Sequence, residues 1–235
     1  MLVGFVSFSL SFEGCFRPEV SLADRGKDPG AAAGHGSPKL NRVIVDRRTE
    51  WSLQRYGATV RTYSYKYDLD WRLVMAVMRH ESRFTEDAVS RRGAFGLMQI
   101  MPATQLELAG KIGVHETATP SNNIKAGIYH LQQLYRSIDA PDEENHIQLT
   151  LAAYNSGLNR LLDAQDVAAY LGDNPGSWDA VKAAFPLLSK RYQSLHRNVW
   201  QSGKPRAGYF TDWHQTTNYV ETVMGFYGSY QVALK

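Results

Sequence analysis

Residues 70–84 read DWRLVMAVMRHESRF and show the clearest helical periodicity in the chain. At about 100° per residue, large apolar side chains and one carboxylate of this stretch fall within an arc of about 120°. The members of this stripe are Trp71, Val74, Val77, Met78 and Glu81. Asp70 precedes the stripe and is a favourable N-cap, so we expect a helix from Trp71 to about Arg83. Glu81 is therefore a carboxylate on a helix face that should be buried.

Helical spacing continues along most of the chain, while alternating patterns typical of strands are scarce. The further segments with helical spacing are residues 102–109, 124–138, 147–155, 178–184 and 218–230. Residues 42–46 and 207–211 are the only candidate strands. The sequence thus predicts an all-α fold with at most a few short strands.

The composition excludes several classes of protein. The chain has 235 residues, of which 43% are apolar and 21% are charged, as in a globular protein able to bury a core. A single cysteine cannot form an internal disulfide framework, and no cysteine or histidine cluster has the spacing of a zinc site. The net charge of +3 fits an anionic substrate, but there is no basic stripe that would indicate a nucleic-acid partner.

Glu81 is the most informative residue of the sequence. Burial disfavours the anion, so the pKa of Glu81 should rise above the ordinary value of about 4.3. A carboxyl group that keeps its proton near neutral pH is suited to general acid catalysis. The pattern leaves an alternative open, in which Glu81 is a structural residue paired with an arginine. The candidate partners are Arg79, Arg83 and Arg92.

Two familiar kinds of site do not fit the residues around Glu81. A zinc protease motif would need a second histidine at position 84, which is Phe84. A glycosidase usually has two carboxylates that flank the bond, and no second acid is placed comparably. Glu86 and Asp87 lie in a polar stretch, and Asp70 is about 15 Å away at the other end of the helix. A single acid is sufficient only if the substrate supplies its own nucleophile.

Four motifs follow one another along the chain. They are His80-Glu81-Ser82-Arg83-Phe84, Gly96-Leu97-Met98-Gln99, Ala153-Tyr154-Asn155 and Asn218-Tyr219-Val220. In this order and spacing they resemble the soluble-type lytic transglycosylase domain of glycoside hydrolase family 23, a relative of goose-type lysozyme. The resemblance covers about residues 71–230. It implies a lysozyme-like helical fold with a groove for peptidoglycan glycan strands.

The resemblance also implies a reaction. Glu81 would protonate the glycosidic oxygen of the β-1,4 bond between N-acetylmuramic acid and N-acetylglucosamine, while the substrate acetamido group stabilises the oxocarbenium-like centre. Glu81 would then take the proton of the muramic 6-hydroxyl, which leaves a 1,6-anhydro end and needs no cofactor and no metal. Met98 and Gln99 would line the sugar groove, whereas Leu97 is expected in the core. The full set of implied substrate-binding residues is Ser82, Met98, Gln99, Tyr154, Asn155 and Tyr219.

The sequence departs from the family pattern at the last motif. Family members often read Glu-Thr-Arg-x-Tyr-Val, but residues 215–220 read QTTNYV, so the acid and the arginine are both missing. Residues 163–208 also exceed a minimal domain, and their aromatic side chains are either core residues or an extension of the groove by stacking. The aromatic residues are Trp178, Tyr192 and Trp200, together with Tyr209 directly after this range. Two other functions stay open, namely a lysozyme-type hydrolase and a non-catalytic glycan-binding scaffold on the same fold.

The first 48 residues differ from the rest. Residues 1–12 form an uncharged apolar run that is too short to span a membrane and has the length of a signal-peptide core. Cys15 follows a glycine, as at a bacterial lipoprotein processing site, and residues 21–38 have the composition of a linker. We expect residues 1–48 to be an export and linker segment, largely disordered and with Cys15 as the lipidation candidate, and residues 49–235 to be the catalytic domain. The expected location is the periplasmic side of the bacterial cell envelope, with membrane association through the N-terminus and a monomeric state.

Overall fold

The computed structural model describes residues 45–113 and 119–234, and within these ranges the fold is all-α. The α-helices are α1 (Arg47–Lys66), α2 (Trp71–Ser82), α3 (Pro102–Ile112), α4 (Pro120–Arg136), α5 (Glu143–Ser156), α6 (Leu158–Leu171), α7 (Trp178–Ala184), α8 (Gln193–Val199) and α9 (Trp213–Ala233). Two short 3₁₀ helices, Phe185–Leu188 and Lys190–Tyr192, join α7 to α8. In the described ranges the only β-type pairings are isolated bridges from Phe95 to Val89 and Ile100. The all-α prediction is confirmed.

All the predicted helices are present, and most are longer than predicted because their polar ends carry no periodic signal. The candidate strand at residues 207–211 is wrong, since no strand forms there. Helix α1 was not predicted as a helix, and its buried face explains why. Four of its buried residues are Thr49, Ser52, Gly57 and Ser64, which leave no apolar stripe in the sequence. Residues 42–44 and Cys15 lie outside the described residues.

Helix α2 is the central element of the fold. Its N-terminus is capped by the Asp70 carboxylate, which accepts a hydrogen bond from the backbone N–H of Arg72 at 2.9 Å. The six consecutive residues from Leu73 to Met78 are all at most 2% exposed. This stretch of the helix is thus buried on every side rather than along one stripe, and α2 packs mainly against α9 and α1. Full burial of each large side chain contributes about 1.5–3 kcal/mol, so α2 is held firmly in place.

The end of α2 is a sharp turn that prepares the site. Arg83 and Phe84 both adopt left-handed backbone conformations, with φ of 51° and 62°. This turn stops the helix directly after Glu81 and Ser82 and leads the chain into the loop that connects α2 to α3. Among the described residues, no helix has the length and apolar character that crossing a membrane requires.

Candidate active site

Glu81 lies in the last turn of α2 and is mostly covered by neighbouring helices. Burial raises the pKa of its carboxyl group to about 8, and this is opposed only in part by the Tyr219 hydroxyl. The negative end of the helix dipole also disfavours an anion at this position. At neutral pH Glu81 is therefore mainly protonated, as predicted from its position on the buried face of the helix.

Two tyrosines from different helices face Glu81. Tyr219 of α9 is 1% exposed and Tyr154 of α5 is 5% exposed. For both hydroxyls, burial and then the charge of Glu81 raise the pKa well above its ordinary value. Tyr154 donates a 2.8 Å hydrogen bond to the Met98 carbonyl. The Tyr219 hydroxyl has no hydrogen bond of good geometry among the described residues, so it is the donor available to an ionised Glu81.

A structural ion pair does not account for Glu81. Arg79, one of the candidate partners, instead pairs with Asp46 at 2.5 Å. No arginine is among the groups that lower the pKa of Glu81. His80 is also neutral, because burial and then the charge of Arg83 lower its pKa to about 4. Its ring packs edge-on against Tyr219 with a centroid distance of 4.6 Å, which fixes the tyrosine ring.

The loop of residues 96–99 is held by Asn123, which was not among the predicted site residues. Asn123 is fully buried at the start of α4, where its side-chain oxygen accepts the Met98 N–H at 2.8 Å. Its side-chain nitrogen donates to the Phe95 carbonyl at 2.9 Å. Gly96 has a φ of +79°, and a Cβ there would lie 2.6–2.8 Å from the Asn123 amide. The sequence signal was the pair Asn122-Asn123 directly before an apolar helical run, outside the recognised motifs.

The structure brings Ser82, Met98 and Gln99 together, but in different roles. The Ser82 hydroxyl donates to the Leu97 carbonyl at 3.0 Å, which ties the end of α2 to the loop. Gln99 lines a cavity, and its side-chain nitrogen lies 2.9 Å from the carbonyls of both Ala88 and Gly96. The Met98 side chain is fully buried against Gly127. The prediction that this side chain lines the groove is therefore wrong. Leu97 is a core residue, as expected.

Two cavities flank the C-terminal turn of α5. The larger, about 390 Å³, is lined by Gln99, Tyr154 and His130 among others, and Glu81 itself is not part of its wall. His130 packs its ring on Tyr154 at 5.4 Å, and burial lowers the pKa of His130 to about 4. The smaller cavity, about 180 Å³, is lined by Asn155 and a set of polar side chains. The neighbouring residues 154 and 155 therefore face two different spaces.

At residues 215–220, where the sequence departs from the family motif, a hydrogen bond connects α9 to α5. The Thr216 hydroxyl donates to the side-chain oxygen of Asn155 at 2.9 Å, and both residues are buried. This bond joins α9 to α5 directly beside Tyr154. It supplies a brace between the two helices at the place where the acid and the arginine of the motif are missing.

The aromatic residues of the longer C-terminal part divide between core and surface. Trp178 is a core residue at 5% exposure, and the Trp200 indole donates to Asp166 at 2.8 Å. Tyr209 is 38% exposed and lines the smaller cavity, whereas Tyr192 lines neither cavity. In the part of the chain that the structure describes, no group of three acidic, histidine or cysteine side chains is arranged to hold a metal ion.

Comparisons with known proteins identify the family. Residues 58–175, half of the chain, match the family model described as the transglycosylase SLT domain. This range contains every residue discussed above from Glu81 to Asn155, and Tyr219 lies beyond it. A curated relative, the membrane-bound lytic murein transglycosylase F of Histophilus somni, is 33% identical over 69% of this chain. The protein of the same name from Yersinia enterocolitica is 35% identical over 71% of this chain.

The chain is much shorter than these relatives, spanning 33% and 31% of their lengths. A solved complex of the 70-kDa soluble lytic transglycosylase with bulgecin A shares the fold, with a TM-score of 0.53 at 22% identity. That alignment covers 79% of this chain and 25% of the other. Because the family model covers half of the sequence and includes the Glu81 helix, the chain belongs to the transglycosylase SLT domain family.

Proposed function

We propose that the protein is a peptidoglycan lytic transglycosylase in which Glu81 acts first as acid and then as base. The observation that carries this proposal is the Glu81 carboxyl, whose pKa is raised to about 8 with no second carboxylate among the groups that shift it. A hydrolase that uses two carboxylates needs another acid within about 10 Å. The ionisable groups that interact with Glu81 are the hydroxyls of Tyr154 and Tyr219. The names of the curated relatives support the same activity.

The reaction needs only groups of the enzyme and of the glycan. The protonated Glu81 gives its proton to the glycosidic oxygen, and the bond to C1 of the muramic residue breaks. The muramic 6-hydroxyl then attacks C1 and gives its proton to the Glu81 carboxylate, which restores the enzyme. The products are an N-acetylglucosamine 4-hydroxyl and a 1,6-anhydromuramic end, so no water is consumed.

The residues around Glu81 have separate roles in this proposal. Tyr219 donates to Glu81 while it is ionised, because its hydroxyl has no competing partner of good geometry among the described residues. Ser82 and Asn123 hold the loop whose Gln99 lines the larger cavity. The Met98 carbonyl orients Tyr154. Asn155 lines the smaller cavity, where its amide would bind the N-acetyl group of the glycan.

Product analysis tests the reaction type. Purified peptidoglycan digested with the protein should release muropeptides with anhydro ends, as measured by mass spectrometry. Products heavier by one water, about 18 Da, would instead show hydrolysis of the lysozyme type. Binding without any cleavage would support the non-catalytic scaffold.

The role of Glu81 is tested with a matched pair of variants. Glu81→Gln should abolish product formation while glycan binding persists, because the amide keeps the shape but has no transferable proton. Glu86→Gln is the control, since Glu86 lies five residues further on and is bound by Arg55 and by the Tyr56 hydroxyl rather than by the groups around Glu81. Unchanged turnover in Glu81→Gln would reject the mechanism.

We also propose that the N-terminal segment directs export of the protein. The segment that precedes α1, predicted as residues 1–48, would bring the catalytic domain, predicted as residues 49–235, to the periplasmic side of the cell envelope as a monomer. Helix α1 begins at Arg47, so the folded domain starts before the predicted boundary. The relatives' description as membrane-bound supports this location. Labelling with a radioactive lipid precursor should mark the wild type and not Cys15→Ala, and equal labelling would exclude Cys15 as the anchor.

A further inference from the structure

The smaller cavity is lined by two arginines from different parts of the chain. Arg92 lies in the loop between α2 and α3, and Arg160 lies in the first turn of α6. The cavity has a volume of about 180 Å³, which is about six times the liquid volume of a water molecule. This space is large enough for a carboxylate and the atoms that join it to a larger molecule.

Arg160 has hydrogen-bonding capacity that the described residues do not use. Its Nε is buried and has no partner among them. Its terminal nitrogens make only long contacts, 3.5 Å each, to the carbonyls of Ser156 and Ala207. The guanidinium lies 4.4 Å from the centre of the Phe210 ring, which holds its plane in a fixed orientation. A planar fork of N–H donors fixed in this way matches the two oxygens of a carboxylate.

The charged residues that face Arg160 are Asp163, Asp212 and Arg92. The nearby Asp163 is already used, because it accepts the backbone N–H groups of Arg206 and Ala207 at 2.9 Å each. Asp212 is the one acid among the lining residues, against the two arginines. Burial lowers the pKa of the Arg160 guanidinium. The negative charges of Asp163 and Asp212 raise this pKa, and the positive charge of Arg92 lowers it further. An anion in the cavity would relieve the repulsion between the two arginines.

The cavity adjoins the residues that surround Glu81. Asn155 and Thr216 line it and are joined by their 2.9 Å hydrogen bond. Tyr154 precedes Asn155 in the chain, and Tyr219 follows Thr216 by about one helical turn on the same face of α9. Two residues that line the cavity are therefore neighbours, along α5 and α9, of the two tyrosines that face the acid.

We propose that this cavity binds a carboxylate of the lactyl-peptide substituent of the muramic residue, with Arg92 and Arg160 as its cationic ligands. This inference rests on the proposed function. The N-acetylated sugar rings carry no charge, so an anion near the cleaved bond must come from that substituent. Its carboxylates belong either to the stem peptide or, in strands without peptide, to the lactyl group itself.

The test compares three kinds of glycan strand with the full-length protein. The first carries stem peptides with free carboxylates, the second carries the same stems after conversion of these carboxylates to primary amides, and the third has no peptide. The readout is the preference, defined as kcat/KM on a strand with free carboxylates divided by kcat/KM on the amidated strand. The wild type should prefer one of the charged strands by about three- to tenfold, the range for a partly exposed charge-assisted contact.

Matched variants assign the preference to the cavity. In Arg92→Gln the ratio of kcat/KM values should fall towards 1, because a charge is removed from the cavity. In Arg160→Lys the ratio should fall towards 1 as well, because lysine keeps the charge but lacks the planar fork of N–H donors. Arg91→Gln is the control, since Arg91 is the adjacent exposed arginine and does not line the cavity. If the variants lose the preference for the strand with free stem carboxylates, the ligand is a stem carboxylate. If they lose the preference for the strand without peptide, the ligand is the lactyl carboxylate. A wild type without preference, or one equal in all variants, overturns the proposal.

A second readout separates this inference from the proposed function. If the wild type releases no anhydro product from any strand, the proposed function fails. Calorimetric titration with a soluble muramyl peptide then decides the inference by itself. Weaker binding to Arg92→Gln than to Arg91→Gln supports the carboxylate site, and equal binding to both overturns it.

Discussion

Replacing Glu81 by glutamine should stabilise the folded protein, increasingly so as the pH rises. A carboxyl group whose pKa is raised on folding holds its proton more tightly in the folded state than in the unfolded chain. The stability of the wild type is therefore highest below the unfolded pKa of 4.5 and falls as the pH rises towards the folded value of about 8. Glutamine has nearly the same shape and no ionisation, so this loss is absent from the variant.

The size of the effect follows from the pKa difference. One pKa unit corresponds to about 1.4 kcal/mol. With the two pKa values above, the free energy lost by the wild type is about 1 kcal/mol at about pH 5, about 3 kcal/mol at about pH 7 and about 5 kcal/mol at about pH 9. These are upper values, because the part of Glu81 that reaches solvent lets water screen the charge.

Urea unfolding followed by circular dichroism at these three pH values measures the difference. The quantity of interest is the free energy of unfolding of Glu81→Gln minus that of the wild type. Other groups with shifted pKa values, such as His80 and His130, are common to both proteins and cancel in the difference. Glu221→Gln is the matched control, and its change should stay within about 1 kcal/mol because Glu221 is exposed and pairs with Lys182 at the surface.

Two results would refute the reasoning. A difference that does not grow between pH 5 and pH 9 would mean that the pKa of Glu81 is close to normal. A variant that is destabilised at all pH values would mean that the ionised carboxylate is well paired in the folded protein. In either case Glu81 would not be held as an acid at neutral pH.

Three further predictions concern the surroundings of the acid. In Tyr219→Phe, turnover should fall about 10- to 100-fold, because the ionised Glu81 loses a hydrogen-bond donor. Glu81 sets the alkaline limb of kcat/KM near pH 8 in the wild type, and this limb should move to higher pH because the Tyr219 hydroxyl lowers the pKa of Glu81. An unmoved limb would argue against the contact between the two residues. The pKa of His130 falls from 6.5 to about 4 on folding, so stability should drop by up to about 3 kcal/mol as the pH falls through this range, and urea unfolding of His130→Asn should show a smaller drop. Gly96→Ala should cost about 2 kcal/mol or more of unfolding free energy, since its Cβ would meet a buried amide and its φ is positive. Gly225→Ala should instead gain about 0.5–1 kcal/mol, since Gly225 is an exposed position of α9 where a Cβ meets nothing within 4 Å. Equal midpoints in urea for both glycine variants would contradict this.

Local pattern was enough to predict much of the fold. The spacing of Trp71, Val74, Val77 and Met78 predicted α2, and the capping role of Asp70 is confirmed. The same pattern placed Glu81 on the covered side of that helix. Such features depend on neighbours within one or two turns, so they can be derived without the fold. Helix α1 could not be derived in this way, because its buried face consists largely of small polar residues that only a neighbouring helix makes buried.

The candidate site shows the same division between local and tertiary information. The motifs selected Ser82, Gln99, Tyr154 and Tyr219, and the structure gathers the last two around Glu81. The motif alone assigned Met98 to the groove, but α4 presents Gly127 at that point and the side chain fills the space above it. The motif could not show whether a side chain or only its backbone faces the substrate.

The sequence by itself determined that this chain forms helices and that one acid stands on a covered helix face. Only the tertiary structure decided that this acid keeps its proton, because desolvation depends on α5 and α9, which are more than sixty residues away in sequence. Asn123 and Arg160 belong to the same class, since their partners come from other parts of the chain. A pKa or an unfilled hydrogen bond is set by everything that surrounds a group, and periodicity reports only its neighbours along one helix.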